Sequence, residues 1–542
     1  MSESTGVNNA GILAFVGCFV FSSIACHDSL GKPKETALVV SVEQTPSWVR
    51  RFNPVSPLAP ARWPTRGGIY ESLMVYNSAE KAWIPWLASS YAWSDDALEL
   101  RFAIKSGIQW SDGQAFSPAD VLFTFELLRE FPALDTGGLW KRLKGVSVET
   151  GNLVLTFKEA FTPAFDAIAL TPILPKHIWA GVEDPVKFAN PNPVGTGPFT
   201  EVLQFETTQY ELGANPRYWQ KGLPKVKRLR FPAFASNDQA NLALVNGDVD
   251  WAGNFIPAVD RTFVSVSPET RHYWFALNGT MVFLYPNHEI EALRSQGTRE
   301  AISAAINRER LVDIAMFGYT RPAYRSPYSD GFSAWQSVVD RATTFHSGHR
   351  QALVDWADKR GTPVEVLVVS GWSDWVRAAQ LIAADLTKAG LPTVVRTLEF
   401  GTWFSRVQQG DFDLTVGWSS EGATPYDLMR GLMEPSLVKP KGELAVQNWH
   451  RFGDYQAGAL LEAFAVEADA NKRLEIMKQL ENRFLETLPA IPLFPNPSWA
   501  LFSSKRYQGF PSAQNPYAGG SPNALPEAAL VLLNLEPVEQ AP

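Results

Sequence analysis

The stretch from Phe412 to Arg430 passes from an apolar strand through a polar loop into a helix, and this order constrains the fold most strongly. Apolar side chains alternate with polar or small ones up to Trp418, which is the pattern of a strand. A loop of hydroxyl and acidic residues follows, and Pro425 stands at a favoured first position of a helix. Ligands commonly bind in loops of this kind, at the carboxyl ends of strands in an α/β sheet.

The segments before this stretch repeat the same alternation of strand and helix. Residues 363–369 form a near-continuous apolar run, typical of a strand buried in a parallel sheet. A helix over 376–389, a strand over 391–398 and a helix over 403–409 are expected to follow. This alternation predicts a doubly wound α/β lobe.

Length and composition set further limits. A chain of 542 residues is too long for a single core, so two or three domains are expected. The net charge of -8, without a basic run, argues against nucleic acid as a partner. The chain carries 19 Trp, 33 Phe and 14 Tyr, and this aromatic load favours a site that stacks flat ligands.

The N-terminus has the pattern of a secretory signal. Residues 11–25 are uncharged and apolar, which is the length of a signal-peptide core, and the chain turns polar after Cys26. The run Ser23-Ile-Ala-Cys26 resembles a bacterial lipobox, so we expect cleavage before Cys26 and lipidation of its thiol. Cys18 is a second candidate, and residues 1–10 contain Glu3 but no Lys or Arg. The mature chain could then hold no internal disulfide, because cleavage removes Cys18 and leaves Cys26 as its one cysteine.

Five motifs in order point to one family. They are residues 98–125, with Trp110-Ser-Asp-Gly113 inside them, Val194-Gly-Thr-Gly-Pro-Phe199, Asn215-Pro-Arg-Tyr-Trp219, Leu244-Val-Asn-Gly-Asp-Val-Asp-Trp251 and Thr298-Arg-Glu-Ala-Ile-Ser-Ala-Ala-Ile-Asn-Arg308. Together they closely resemble the large oligopeptide-type solute-binding proteins, family 5, that serve ABC importers. The resemblance covers nearly the whole mature chain.

The resemblance implies an α/β fold of the periplasmic-binding-protein type II-like kind, with two lobes around a cleft and an inserted α+β subdomain. It implies a monomer that meets a membrane permease at the periplasmic or cell-surface face, without cofactor or metal. The expected division is a signal peptide at 1–25, a linker and start of lobe I at 26–69, the inserted subdomain at 70–189, lobe I at 190–276, lobe II at 277–497, and the lobe I return with the C-terminal tail at 498–542.

Candidate ligand-binding residues are the aromatic, amide, hydroxyl and acidic side chains at the ends of predicted strands on both sides of the cleft. In the first lobe they are Trp48, Asn53, Trp251 and Asn254, and in the second lobe Trp372, Trp418, Ser419, Glu421, Tyr426 and Trp449. Each tryptophan taken alone fits core packing as well as a site.

The ligand class stays open between two alternatives. Peptide binders of this family hold the ligand's amine with an Asp shortly after a Gly-Trp pair, and here Gly417-Trp418 is followed by Glu421. Residues 422–426 and the loop near residue 50 look more like the subgroup that binds β-linked, cello-type oligosaccharides. Stacking residues outnumber charged ones among the candidates, so we expect an oligosaccharide, with a peptide as the alternative.

An enzyme, such as a secreted glycoside hydrolase with two carboxylates, is the remote alternative. The close acidic pairs stand at Asp95/Asp96, Asp248/Asp250 and Asp411/Asp413, and turn chemistry explains them more simply. No nucleophile elbow, metal-spaced cluster or phosphate loop appears. The histidines, expected to be solvated, are scattered among loops. They include His272, His288, His346, His349 and His450.

The lipobox assignment gives a direct prediction. Cys26→Ala should release the protein from the membrane fraction, because it removes the thiol that would carry the lipid. Cys18→Ala is the matched control and should leave the protein in that fraction. Immunoblots of fractionated cells measure both, and a Cys26→Ala protein that stays with the membrane would show the assignment to be wrong.

Overall fold

The computed structural model describes residues 37–538, apart from residue 43 and residues 58–63, 278–279 and 339–340. Cys26 and the signal-peptide prediction therefore lie outside the described residues. Of the segments that are described, none is a helix both long and apolar enough to span a membrane.

The strands, in chain order, are β1 Leu38–Ser41, β2 Met74–Asn77, β3 Ala82–Pro85, β4 Ala88–Trp93, β5 Glu99–Ile104, β6 Leu143–Glu149, β7 Asn152–Phe157, β8 Glu201–Phe205, β9 Gln209–Gly213, β10 Arg228–Pro232, β11 Trp251–Ala252, β12 Arg271–Tyr273, β13 Met281–Pro286, β14 Val364–Val369, β15 Thr393–Leu398, β16 Leu414–Trp418, β17 Ile491–Pro495, β18 Leu501–Ser503, β19 Tyr507–Gln508 and β20 Glu536–Pro537.

The helices are α1 Pro118–Glu130, α2 Leu139–Arg142, α3 Ala164–Ala169, α4 Lys176–Trp179, α5 Asn237–Asn246, α6 Val259–Thr262, α7 Glu291–Arg294, α8 Gln296–Ala305, α9 Arg308–Arg310, α10 Ser347–Arg360, α11 Ser373–Ala389, α12 Phe400–Gln409, α13 Tyr426–Met433, α14 Tyr455–Val466, α15 Ala470–Thr487 and α16 Ala528–Asn534. A π-helical turn spans Leu311–Ala315, and 3-10 turns span Val264–Val266, Asp330–Trp335 and Pro435–Leu437.

A mixed sheet of seven strands, in the order β12-β18-β11-β1-β10-β9-β8, forms what we call the first lobe. Strand β1 pairs in parallel with β10 and with β11, while the outer pairs are antiparallel. Strand β18, which follows residue 500, returns the chain to this sheet.

A second mixed sheet, in the order β15-β14-β16-β13-β17, forms the second lobe. Strand β14 pairs in parallel with β15 and with β16, which confirms the prediction of a buried parallel strand over residues 363–369. Helix α11 packs against β14 and β15 and begins at Ser373, three residues before the predicted start at Val376. The predicted strand that ends at Trp418 is confirmed as β16.

A four-stranded antiparallel sheet, in the order β4-β5-β7-β6, and helix α1 form the subdomain. The chain builds it after leaving the first-lobe sheet at β1 and before rejoining that sheet at β8. Ser117 is the N-cap of α1, and its backbone N–H donates to the Asp120 carboxylate at 2.8 Å. The exact division of the chain into six ranges stays a prediction.

Two glycines explain one of the five motifs. In Val194-Gly-Thr-Gly-Pro-Phe199 the chain runs against residues 68–69, and Gly197 N–H donates to the carbonyl of Ile69 at 2.9 Å. A Cβ on Gly195 would lie 2.0 Å from the Ile69 carbonyl oxygen, and one on Gly197 would lie 2.3 Å from that of Gly68. Only glycine permits this close approach of two backbones. The contact holds the segment that leads from the subdomain back to the first-lobe sheet against residues 68–69.

His288 and His450 are buried in the second lobe, so the expectation that they are solvated is wrong. Their side chains are 6% and 0% exposed, and their rings lie 5.7 Å apart. Each Nε2 faces a backbone carbonyl at 2.9 Å, of Pro489 and Leu432 respectively, so each ring donates from Nε2. Burial lowers the pKa of His450 to about 3 and also lowers that of His288.

This pair should make the protein sensitive to acid. A pKa lowered in the folded state means that only the unfolded chain takes up the proton between about pH 6.5 and pH 3, so stability is lost as the pH falls through that window. At pH 5 the loss from His450 alone should be about 2 kcal/mol. His450→Gln cannot titrate, and its free energy of unfolding should therefore fall less steeply from pH 7 to pH 5.

The measurement is denaturant unfolding at several pH values, with His272→Gln as the matched loss of one imidazole outside the pair. A wild-type slope in the His450→Gln variant would contradict the assignment.

Candidate functional site

A cavity of about 630 Å³ lies where the first lobe, the second lobe and the subdomain meet. Residues 55–56 and 524–527 line it from the first lobe, and residues 420–437 line it from the second lobe. The β2–β3 hairpin and residues 134–142 and 161–172 line it from the segment between β1 and β8 that contains the subdomain. Its aromatic lining residues are Tyr76, Trp83, Phe161, Phe332 and Tyr426. A cleft of this size, lined by aromatic and a few polar groups, is typical of a small-molecule site.

The loop after β16 carries much of the second-lobe wall. Ser419 fastens the start of this loop, because its N–H donates to the Met281 carbonyl and its Oγ accepts the Met281 N–H, both at 2.9 Å. The next residues, Ser420 to Ala423, leave the sheet and line the cavity. Helix α13 then begins at Tyr426, with Pro425 as its N-cap rather than its first residue.

Tyr426 presents a fixed aromatic wall. Its side chain is 5% exposed, and its ring stacks on Phe464 with a centroid distance of 5.7 Å. Phe161 from the subdomain meets the same ring edge-on at 6.0 Å. The tyrosine is therefore held between a helix of its own lobe and the subdomain.

Glu421 is an unpaired carboxylate inside the cavity. It is open to solvent there, yet protein surrounds it, and it has no hydrogen-bond or ion-pair partner among the described residues. Burial raises its pKa, and the carboxylate of Glu527 raises it further. Glu527 itself is occupied, since it accepts the N–H groups of Ser78 at 3.0 Å and Gly519 at 2.8 Å.

Two more carboxylates lie beside the same loop. A Cβ on Gly422 would lie 3.4 Å from Asp166 Oδ2 and 3.7 Å from Asp427 Oδ2. Asp166 Oδ2 accepts the Ala423 N–H at 2.9 Å, and burial raises its pKa to about 6. Burial also raises the pKa of Asp427, against the opposing charge of Arg430. The loop thus stands in an acidic environment.

The subdomain is joined to the second lobe across the cavity. Thr162 N–H donates to the Ala465 carbonyl at 2.9 Å. Arg142 pairs with Glu462 at 2.6 Å and with Glu159 at 2.5 Å. With the Asp166 to Ala423 bond, these contacts close one side of the cavity.

The four first-lobe candidates are buried in protein and do not line this cavity. Trp48 is 1% exposed and its Nε1–H donates to the Phe231 carbonyl at 3.0 Å, while Trp251 is 0% exposed and donates to Gly520 at 2.9 Å. The Asn53 amide donates to the carbonyls of Pro185 and Phe188, and the Asn254 amide donates to Asn241 Oδ1.

Three second-lobe candidates lie together in an aromatic cluster beside α12. Trp418 lies 6.0 Å from Trp372 and 5.3 Å from Trp449, measured between ring centroids. Each is half-buried, and the remaining cluster members come from α11 and α12. They are Trp375, Phe400, Trp403 and Phe404. Of the ten candidates, Glu421 and Tyr426 line the cavity.

Sequence reasoning missed several lining residues. Asp427 lies within the stretch from Phe412 to Arg430, one residue after the candidate Tyr426, so the sequence alone could have included it among the candidates. Trp83, Asp166 and Glu527 lie 338, 255 and 106 positions from Glu421 along the chain, and no local pattern marks them. Their role depends on tertiary contacts.

Two of the acidic residues considered for catalysis, Asp250 and Asp413, have structural partners. Asp250 accepts the Val39 N–H at 2.9 Å and pairs with Arg506 at 2.7 Å. Asp413 accepts the Glu365 N–H at 2.9 Å and pairs with Arg360 at 2.6 Å. In the part of the chain that the structure describes, no group of three or more acidic, His or Cys side chains is arranged to hold a metal ion.

Comparison with known proteins identifies the fold and the family. Residues 82–436 match the family described as bacterial extracellular solute-binding proteins, family 5 middle, which is more than half of the chain. The chain belongs to family 5 of the bacterial extracellular solute-binding proteins. As a family 5 protein it is a solute-binding protein of an ABC importer, and the family is extracytoplasmic. Its relatives are binding proteins rather than enzymes.

Two curated relatives of this family 5 protein are named for peptides. The "Probable D,D-dipeptide-binding periplasmic protein" of Escherichia coli K12 is 23% identical over 78% of this chain and 81% of its own. "Di/tripeptide-binding protein 4" of Pseudomonas aeruginosa is 25% identical over 83% and 88%.

A solved structure confirms the predicted fold class. The periplasmic oligopeptide-binding protein of Thermotoga maritima, crystallised with mannohexaose, superposes with a TM-score of 0.85 at 24% identity. The match covers 94% of this chain and 100% of that one. The α/β fold of the type II-like kind is therefore shown, with its two lobes.

Asp166 gives a prediction about this site. Because its folded pKa of about 6 lies above its unfolded value near 3.8, ionisation opposes folding, and stability is lost as the pH rises from about 4 to 6. Asp166→Asn keeps an acceptor for Ala423 without the buried charge. Its free energy of unfolding should exceed that of wild type by about 3 kcal/mol at pH 8, and by less than about 1 kcal/mol at pH 4.

Denaturant unfolding at both pH values measures this difference. Asp248→Asn, at an exposed carboxylate outside the cavity, is the control. An Asp166→Asn variant less stable than wild type at pH 8 would contradict the prediction.

Proposed function

We propose that this family 5 protein is a lipid-anchored monomer that captures its ligand in the 630 Å³ cavity and delivers it to the membrane permease of an ABC importer. The lipobox-like sequence before Cys26 supports the anchor. A ligand that contacts both lobes and the subdomain favours the closed arrangement, because it binds that state more tightly than an open one. The contacts of Thr162 and Arg142 across the cavity would form on closure.

We propose a short peptide as the ligand, held by its ammonium group. The observation that carries this proposal is the unpaired Glu421 carboxylate in the cavity, with Asp427 nearby and also without a hydrogen-bond partner among the described residues. An opposite charge or hydrogen-bond donors stabilise a carboxylate that protein surrounds on several sides. An ammonium group supplies both, and it would relieve the repulsion between Glu421 and Glu527.

The β-linked oligosaccharide favoured by the sequence is the second candidate. Its support was the number of stacking residues, and the tryptophans among the ten candidates do not line the cavity. A different tryptophan, Trp83, does line it and is half-buried, with Tyr76 5.2 Å away. These rings could stack on a sugar, and the Thermotoga maritima protein of the same fold was crystallised with mannohexaose.

Glu421→Gln and Trp83→Ala separate the two candidates. If an ammonium group binds Glu421, Glu421→Gln should cost roughly 3–5 kcal/mol of binding, because the ligand's charge is then left unpaired. Loss of one hydrogen-bond partner to a sugar hydroxyl would cost only about 1 kcal/mol. Trp83→Ala would cost on the order of 2–4 kcal/mol for a stacked sugar.

Titration calorimetry with short peptides and with cello- and manno-oligosaccharides measures both variants. Glu434→Gln is the matched control, since this carboxylate also lines the cavity but already accepts the Ser436 N–H at 3.0 Å. A large effect of Trp83→Ala beside a small effect of Glu421→Gln would replace the peptide by the sugar. Binding that none of the three variants changes would remove this cavity as the site.

A further inference from the structure

The two lobes also touch at a place that does not line the cavity. The second lobe contributes the turn between β14 and α11, and the first lobe contributes the start of α5. The Asn237 N–H donates to the Gly371 carbonyl oxygen at 3.0 Å, and Asn237 Nδ2–H donates to Asp374 Oδ1 at 3.3 Å. We call these two hydrogen bonds the latch. Its three residues are not among those that line the 630 Å³ cavity.

Gly371 brings the two backbones of the latch together. A Cβ at this position would lie 2.8 Å from the Ala235 carbonyl oxygen and 3.6 Å from the Gln44 Cβ, which are both first-lobe atoms. The backbone of Gly371 lies outside the left-handed region, so its own conformation does not require glycine. The contact with the first lobe therefore does.

Asn237 is suited to a contact that can form and break. It is the first residue of α5, and an N–H group in the first turn of a helix has no partner within the helix. Its N–H can therefore bond either to Gly371 or to water. In this arrangement the side chains of Asn237 and Asp374 are only 2% and 3% exposed.

The latch lies away from the segments that connect the lobes. The chain crosses from β12 to β13 and returns from β17 to β18. In the second-lobe sheet β16 separates β14 from β13, and in the first-lobe sheet β11 separates β1 from β18. The latch is therefore about 10 Å or more from the crossing segments, at two strand spacings in each sheet. A rotation about those segments would separate its two sides.

We propose that the latch holds the two lobes closed in the absence of ligand. Two buried hydrogen bonds that form only on closure shift the open–closed equilibrium on the order of tenfold or more. A chain that is already closed for most of the time requires less of the ligand's binding energy for closure. Asn237, Gly371 and Asp374 are positioning residues, and their effect is the same for a peptide and for a sugar because they do not line the cavity.

The test compares wild type with Gly371→Ala, both stripped of co-purified ligand by denaturation and refolding. The added methyl group meets the Ala235 carbonyl only in the closed arrangement, so it should open the lobes. Small-angle X-ray scattering should give a larger radius of gyration for the variant. Hydrogen exchange at the Asn237 N–H should be at least about tenfold faster, because the open state of wild type is then a minor one.

Asn237→Asp at pH 8 is a second, independent variant. It places another carboxylate against Asp374, and this repulsion is relieved when the lobes separate. An acidic residue is favourable in the first turn of a helix, so α5 itself is not weakened. The variant should give the same increase in radius of gyration as Gly371→Ala, and it decides the case if Gly371→Ala does not fold.

Each variant has a matched control. Gly297→Ala adds a methyl group to an exposed position of α8, where the nearest atom is Ser295 Oγ at 3.8 Å. Asn246→Asp adds the same charge at the exposed last residue of α5. Both controls should keep the wild-type radius of gyration and the wild-type exchange at Asn237. Thermal unfolding shows whether each variant folds.

The opposite results are equally clear. If folded Gly371→Ala and Asn237→Asp have the radius of gyration and the Asn237 exchange of wild type, the latch does not hold the lobes closed and the inference is wrong. A control that opens the lobes as far as its partner variant does would also overturn it. These measurements use no ligand, so their failure leaves the proposed function standing, and a failure of ligand binding at Glu421 leaves the latch standing.

Discussion

The position of the cavity depends on how strand β16 ends. In the second-lobe sheet Val282 pairs with Trp418, and the next residue, Ser419, bonds twice to Met281 through its backbone and its hydroxyl. The Ser419 hydroxyl, rather than a backbone carbonyl, accepts the Met281 N–H, so the backbone ladder of β16 ends there and the chain turns away from the sheet. The following four residues therefore leave the sheet at one place, between the lobes, and carry Glu421 into the cavity. Helix α13 then fixes the far end of the loop.

The second constraint on the site is the group of four carboxylates that lines the cavity. Glu421, Asp427, Asp166 and Glu527 all have raised pKa values, and burial is the largest cause for each. Asp166 and Glu527 are partly compensated by backbone N–H groups, whereas Glu421 is not. A ligand that supplies a positive charge to the Glu421 carboxylate would therefore be stabilised in the cavity. Ligand binding and closure of the lobes would then favour each other.

The aromatic residues illustrate why composition alone is a weak guide to a site. The same 19 tryptophans include buried core residues such as Trp251, the half-buried cluster around Trp418, and a cavity residue, Trp83. Indole rings provide large apolar area for core packing and flat faces for stacking, and both uses leave the same residue type in the sequence. A tryptophan at the end of a strand can therefore be a core residue or a binding-site residue, and its exposure has to be known to distinguish the two.

The sequence by itself determined the fold class, the order of strands and helices over residues 363–430, and the family. Alternation at Leu414–Trp418, the apolar run at Val364–Val369 and the Ser117 cap are local patterns, and local backbone and burial preferences produce them. Only the tertiary structure decided which side chains face the cavity. Asp166, Arg66 and Glu421 are separated by about 100 to 350 positions along the chain and meet because three sheets pack together. Exposure of a side chain depends on what packs over it, and that information is not local.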